Sequence, residues 1–207
     1  MIMAASRKQC SCAEEAAEAW KHVGRMTEIG LDIIIMASSQ TVDFSLQWQE
    51  CQSRNCPSAS EVQDTLLEIY TKLVDLLQAA IVTYRVTPGS NFAEHGAQDS
   101  SLYHHTSTST MQMFGYPSMG AQTLPDLGVI CLPSKMSLGE HELDEQQSSY
   151  LALDLVCRTL ENLGGIMQQM GRREAEEVGR VDSRVLERLS RVSRLMRTGS
   201  QALQSLS

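Results

Sequence analysis

Apolar residues return every three or four positions over two long stretches of the chain and lose that rhythm between them. Such a period marks amphipathic helices rather than strands. The clearest stretch is Val62, Leu66, Ile69, Leu73, Leu76 and Ala80, widened by Leu67, Tyr70, Val74, Leu77 and Ile81. So broad an apolar face asks for more than one neighbour. This helix is expected over 61–84, with Ser60 as N-cap and Glu61 and Asp64 in the first turn, and it is expected to be the centre of the core. Thr87-Pro88-Gly89 ends it.

Ahead of it, Ala16, Trp20, Val23, Thr27, Leu31 and Ile34 keep the same spacing. They predict a first helix that starts between Ser11 and Ala13, where Glu14 and Glu15 complement the helix dipole. A shorter second helix is expected to carry Phe44, Leu46 and Trp48 towards Cys51, and SRNCPSAS breaks it. Further on, Leu153, Val156, Leu160, Leu163, Met167 and Met170 predict a fourth helix beginning around Leu143 to Glu145. Gly164-Gly165 lies inside it, at about 1 kcal/mol per glycine relative to alanine, and Gly171 is expected to mark its end. The last helix carries Val178, Val185, Leu189, Val192, Met196 and Leu203 on one side. Arg173, Arg180, Arg184, Arg188 and Arg191 fall on another.

Between the two periodic stretches lie most of the prolines, with many Gly, Ser and Thr. Such a composition predicts a flexible linker, in which LGVICLP is an apolar patch able to dock on the body. The expected fold class is therefore all-α: an irregular helical bundle of about four to five helices with a long flexible linker. Residues 8–86 form its N-terminal helical part, 87–137 the linker, and 138–207 a C-terminal helical part packing on the first.

Composition agrees with this pattern. Apolar residues make up 42% of the chain and aromatics only 5%, so the core must be aliphatic, which suits helices better than sheets. The net charge of −8 is uneven: residues 172–207 hold eight arginines against five acids, and the body is strongly acidic. An acidic body does not attract nucleic acid, because phosphate binding needs Lys and Arg. The start, MIMAASRKQCSCAEE, has no apolar run suited to a signal peptide. Ile33 to Ala37 falls far short of the ~20 residues that cross a bilayer. A soluble intracellular protein with reduced cysteines is the expectation.

Candidate chemistry is sparse. No phosphate-binding glycine loop, HExxH helix, GxSxG elbow or EF-hand loop is present, so no catalytic and no cofactor-binding residue is assigned. His22, His95, His104, His105 and His141 read as solvated; the neighbouring pair His104-His105 alone lacks the geometry of a closed metal site. Cys10-x-Cys12 and Cys51-x4-Cys56 would make a tetrahedral zinc site if the two pairs met in space. Their spacing does not decide whether they meet. The reading favoured here is that the cysteines act as small hydrophobes, with Cys157 in the core and Cys131 in a loop; no metal site is assigned. Glu14, Glu15 and Glu18, and likewise Glu140, Glu142, Asp144 and Glu145, read as helix starts or solvated faces. Acids interrupt the arginine stripe, which reads as the exposed side of an amphipathic helix rather than a DNA surface.

The order of these landmarks resembles the C-terminal regulatory region of fungal binuclear zinc-cluster transcription factors, the aflatoxin-regulatory-protein type. QCSCAEEAAEAW matches a Cys-containing start followed by a helix. Trp48 with CQSRNC matches a Trp followed by paired cysteines. EVQDTLLEIYTKLVDLLQAAIVTYRV and LGEHELDEQQSSYLALDLVCRTLENL match two Leu-rich helices, and an Arg-rich end closes the region. The resemblance spans roughly residues 8–200 and rests on the order of the motifs, since each is weak alone. The family's second cysteine pair is usually closer. Its six-cysteine DNA-binding module has no counterpart in the dispersed cysteines at 10, 12, 51, 56, 131 and 157, so no DNA-binding residue is carried over.

The resemblance implies a nuclear transcription regulator of a fungal secondary-metabolite gene cluster. It is expected to act through protein partners, such as a zinc-cluster factor, without specific DNA binding of its own and without a membrane. It would be a co-regulator, a competitor of a full-length factor, or the product of a reading frame that lacks its first exon. The alternatives are a helical scaffold or adaptor unrelated to transcription, and a bundle that binds a small molecule.

Overall fold

A computed structural model describes residues 10–52, 56–85, 128–134, 136–179 and 181–206. Among them are five helices: α1 (Cys12–Val23), α2 (Leu31–Gln52), α3 (Ala59–Tyr84), α4 (Glu145–Val178) and α5 (Ser183–Leu206). Four short strands accompany them: β1 (Glu28–Gly30), β2 (Ile130–Leu132), β3 (Ser137–Leu138) and β4 (His141–Glu142). The protein is all-α. Its strands form only a parallel pair, β1 with β2, and an antiparallel pair, β3 with β4. None of the described helices is long and apolar enough to cross a membrane.

Helix α3 is the centre, as its periodicity predicts. Leu66, Ile69, Leu73 and Leu76 are fully buried, and so are Val62, Tyr70, Leu77 and Ala80. Helices α1, α2, α4 and α5 and strand β2 all pack on it. Ser58, rather than Ser60, stands at its N-cap, without a side-chain hydrogen bond. Burying a Leu or Ile side chain contributes about 1.5–3 kcal/mol, so this helix concentrates the apolar driving force of the chain.

The first periodic run is not one helix. α1 stops at Val23, where the Gly24 N–H donates to the Trp20 carbonyl at 2.7 Å. The backbone then extends so that Glu28, Ile29 and Gly30 pair with Ile130, Cys131 and Leu132. Two glycines in seven residues and a strand partner outweigh an apolar spacing that happens to continue. In consequence α2 begins at Leu31 and absorbs the short helix expected around Trp48.

That helix is hard to see in the sequence because much of its buried stripe is polar. Ser38, Thr41, Ser45 and Gln49 are buried beside Ile34, Ala37 and Trp48. Each hydroxyl donates to the carbonyl four residues back: Ser38 to Ile34, Thr41 to Ala37 and Ser45 to Thr41, at 2.7–2.8 Å. Such bonds let small polar residues enter a core at little cost. Ser45 also meets the Tyr70 hydroxyl at 2.7 Å, which gives the buried phenol its partner.

The expected linker over 87–137 closes earlier than its composition indicates. Val129 and Cys131 are buried. The Ile130 N–H donates to the Thr27 carbonyl at 2.6 Å, the Thr83 hydroxyl to the Cys131 carbonyl at 3.0 Å, and the Ser134 N–H to the Tyr84 hydroxyl at 3.1 Å. GVICLP is thus held against the end of α3, because its alternate residues offer apolar surface and its backbone finds β1. Flexibility of the remainder, 87–127, lies outside the described residues.

α4 opens on a capping box. Asp144 accepts from the Gln147 N–H at 2.7 Å, and the Gln147 side chain accepts from the Asp144 N–H at 3.2 Å, which satisfies two otherwise orphaned donors. The helix runs through Gly171, where an end was expected, and stops at Gly179, whose φ of +74° only glycine adopts without strain. Gly171 marks an approach instead: a Cβ there would lie 3.3 Å from Val181 and Val185. Closer still, a Cβ on Gly199 would lie 2.7 Å from the Cys157 sulfur. Bare backbone at such points lets α4 and α5 pack tightly.

These contacts predict that Leu73→Ala lowers stability by about 2–5 kcal/mol, whereas Lys72→Ala changes it by less than about 0.5 kcal/mol. Urea denaturation followed by circular dichroism reads both. Equal small effects would mean that α3 is not packed.

Candidate functional site

Four cysteines that lie far apart in sequence converge where three helix ends meet. Cys10 immediately precedes α1 and Cys12 is its first residue; Cys51 stands in the last turn of α2; Cys56 lies just ahead of α3. Their four sulfur atoms all lie within 4.8 Å of one another, and the Cys10 and Cys56 sulfurs are 3.4 Å apart. None is in a disulfide; a disulfide would need about 2.05 Å between sulfurs. The question that spacing left open is therefore decided: both pairs meet.

The fold produces this meeting in a definite way. α1 and α3 both present their N-termini, with free backbone N–H groups, to the same corner. The backbone amides of Cys12 and Ser58 lie beside the Cys10 and Cys56 thiols and act to lower their pKa values. In both cases the amide two residues on turns back to the thiol. Crowding and burial move three of the thiols apart. The Cys56 thiol, donating to Cys10, is the main cause that holds Cys10 below the usual thiol range. Burial pushes Cys12 well above that range, and Cys56 also upward. Four thiols at one corner are soft donors of the kind that transition metals take.

The other two cysteines behave differently. Burial pushes the Cys131 thiol up to about 11. Cys131 lies in β2, not in a loop. Half-buried Cys157 is raised by the same cause and packs against Gly199. Both stay protonated near neutral pH and are poor nucleophiles.

The arginine stripe is not simply the exposed side of a helix. It closes onto the polar strip of α3. Arg184 pairs with Asp64 at 2.7 Å, the Arg188 Nε donates to the Thr71 hydroxyl at 2.6 Å, and Arg191 pairs with Asp75 at 2.5 Å and donates to Gln78 at 2.7 Å. Positions 64, 71, 75 and 78 of α3 thus meet 184, 188 and 191 of α5, rung by rung. Arg173, on α4, donates to the Gln49 carbonyl at 2.9 Å. Arg180 lies outside the described residues. Sequence alone shows both stripes, since Asp64, Thr71, Asp75 and Gln78 recur at helical spacing, but gives no sign that they face each other.

The acidic groups stay dispersed. Glu14, Glu15 and Glu18 are exposed on α1, and Glu18 pairs with Lys21 at 3.4 Å. Asp144 is occupied as a cap, and Glu140, Glu142 and Glu145 are exposed. Asp182 accepts from the Arg184 backbone and side chain, both at 2.8 Å, and this contact holds its carboxyl below the usual range. His22 and His141 are exposed, while His95, His104 and His105 lie outside the described residues. A cleft of about 350 Å³ is lined by Trp48, Gln49, Asp64, Arg173, Glu174 and Arg184. Its charges are spent on each other or on backbone: Glu174 accepts from the Asp182 N–H at 2.9 Å.

No protein-family model and no solved structure matches the chain. It is similar to the clavatol biosynthesis cluster protein B of Penicillium crustosum, with 39% identity over 213 residues that cover 99% of each chain.

The ladder between α3 and α5 gives a graded expectation. The side chains of Arg191 and Asp75 are only 26% and 19% exposed, against 52% and 53% for Arg184 and Asp64. Arg191→Ala should lower stability by about 1–3 kcal/mol, because it strands a largely buried carboxylate. Arg184→Ala should cost clearly less than Arg191→Ala, and less still at high salt. A double-mutant cycle of Arg191→Ala with Asp75→Ala isolates the pair; a coupling near zero would remove it as a tie.

Proposed function

The chain belongs to the family of the clavatol-cluster protein, and from that premise we propose that it regulates transcription of a fungal secondary-metabolite gene cluster, in the nucleus and through protein partners. The observation that carries this reading is how the landmarks of the regulatory-region resemblance sit together. The cysteine-containing start, the pair CQSRNC behind Trp48 and the two Leu-rich helices do not belong to separate modules. Cys10, Cys12, Cys51 and Cys56 gather at one corner, Trp48 is buried beneath it in α2, and α3 and α4 pack side by side. A resemblance that rested on order alone gains weight when the ordered motifs make one bundle.

Two further features support a role through partners. The body of the chain is acidic, which repels a phosphate backbone. Of the arginines in the basic C-terminal stretch, Arg184, Arg188 and Arg191 are committed to α3, so they are not held out for phosphate contacts. A helical body of this kind would reach a promoter on another protein, and a factor of the zinc-cluster class is the partner that the resemblance implies.

Purified protein should give no sequence-preferring shift of duplex DNA at roughly 150 mM salt, where contacts to phosphate alone weaken. Deleting the gene should lower the transcripts of its neighbouring biosynthetic genes, and chromatin immunoprecipitation should find the protein at their promoters only while its partner factor is present. Unchanged transcripts with altered metabolite output would overturn the regulatory reading and point to a scaffold or a direct role in biosynthesis.

A further inference from the structure

The four-thiol corner goes beyond the regulatory reading and stands without it. We propose that Cys10, Cys12, Cys51 and Cys56 bind one structural zinc ion as a closed tetrahedral site that pins the start of α1 to the junction of α2 and α3.

The geometry carries the assignment. Zinc sits about 2.3 Å from each thiolate in a tetrahedral site, which puts neighbouring sulfurs about 3.8 Å apart. Four sulfurs within 4.8 Å of one another, two of them at 3.4 Å, need only small side-chain adjustments to reach that figure. The donor set favours zinc among the common divalent ions, since thiolates are soft and hard ions such as magnesium and calcium take oxygen. Four protein ligands fill the coordination shell, so no position is left for a water or substrate. This marks the site as structural rather than catalytic.

The surroundings fit the product. Binding exchanges four S–H bonds for four Zn–S bonds; the thiol protons leave to solvent and no electron is transferred. The resulting centre carries a formal charge of −2. Cys12 opens α1 and Cys56 lies just ahead of α3, so two helix N-termini stand at the cluster. The positive ends of their dipoles stabilise negative charge on sulfur. The mechanical consequence follows from where the ligands lie. α1 joins the body through Ala16 and Val23 on one side, and its first turn has few other apolar anchors. A metal there closes a loop of some forty residues between the pairs Cys10/Cys12 and Cys51/Cys56, and such cross-links restrict the unfolded chain most when the loop is long.

The test uses the whole chain, purified without chelators and kept reduced. Elemental analysis should give one zinc per chain. Cobalt(II) added to stripped protein should produce the ligand-field and sulfur-to-metal charge-transfer bands of a tetrahedral tetrathiolate, displaced by zinc. A strong zinc chelator should lower the melting midpoint. Cys51→Ser and Cys56→Ser should each lose stoichiometric zinc, whereas Cys131→Ser and Cys157→Ser should keep it. If the first two variants fail to fold, the cobalt spectrum of the unaltered chain still decides. Less than a tenth of an equivalent of zinc with no cobalt bands would overturn the proposal, and so would a Cys10–Cys56 disulfide in the native protein.

Discussion

Helix α3 carries apolar side chains around so much of its circumference that no single neighbour can cover it, and the other elements are placed by that demand. Leaving Leu66, Ile69, Leu73, Leu76 and Leu77 in water would forfeit roughly 7.5–15 kcal/mol, about as much as the whole net stability of an ordinary domain. α1, α2, α4 and α5 therefore close around it, and β2 covers its end. The short parallel pair of β1 and β2 follows from the same demand. The chain must return after 127 to cap the C-terminal end of α3, where Thr83 and Tyr84 receive it, and the turn after α1 offers it an edge.

Enclosure leaves one problem, the polar strip of α3. Asp64, Thr71, Asp75 and Gln78 would be desolvated by any apolar helix laid over them, and unpaired buried charge is expensive. α5 meets them with Arg184, Arg188 and Arg191. Part of the basic character of the C-terminal stretch and part of the acidic character of the body are two halves of one internal contact. Charge asymmetry along a chain invites an explanation through an external partner. Here an important part of it is answered within the fold.

The cysteine corner completes the enclosure at the other end. α1 is a short helix of 12 residues, near the length at which an isolated helix is marginal. It depends on packing, and its first turn lies at the edge of the bundle. The four thiols gather where that edge is weakest. The same corner collects four cysteines that lie up to 46 positions apart in the chain, which ties its most distinctive sequence feature to a definite position in its architecture.

Sequence by itself determined the helical class, the central place of α3 and the approximate start of α4, because these follow from local periodicity that acts over a few residues. It did not determine where the first apolar run breaks, since the break depends on β2 arriving from a hundred residues away. Nor did it reveal the full length of α2. The buried Ser38, Thr41 and Ser45 satisfy themselves on the preceding turn and look polar to any pattern of hydropathy. The arginine ladder and the thiol cluster were visible only as separate stripes and pairs. Whether Asp75 meets Arg191, or Cys10 meets Cys56, depends on the rotation and approach of helices that share no local signal. Only the packing of the whole bundle around α3 brings those side chains together.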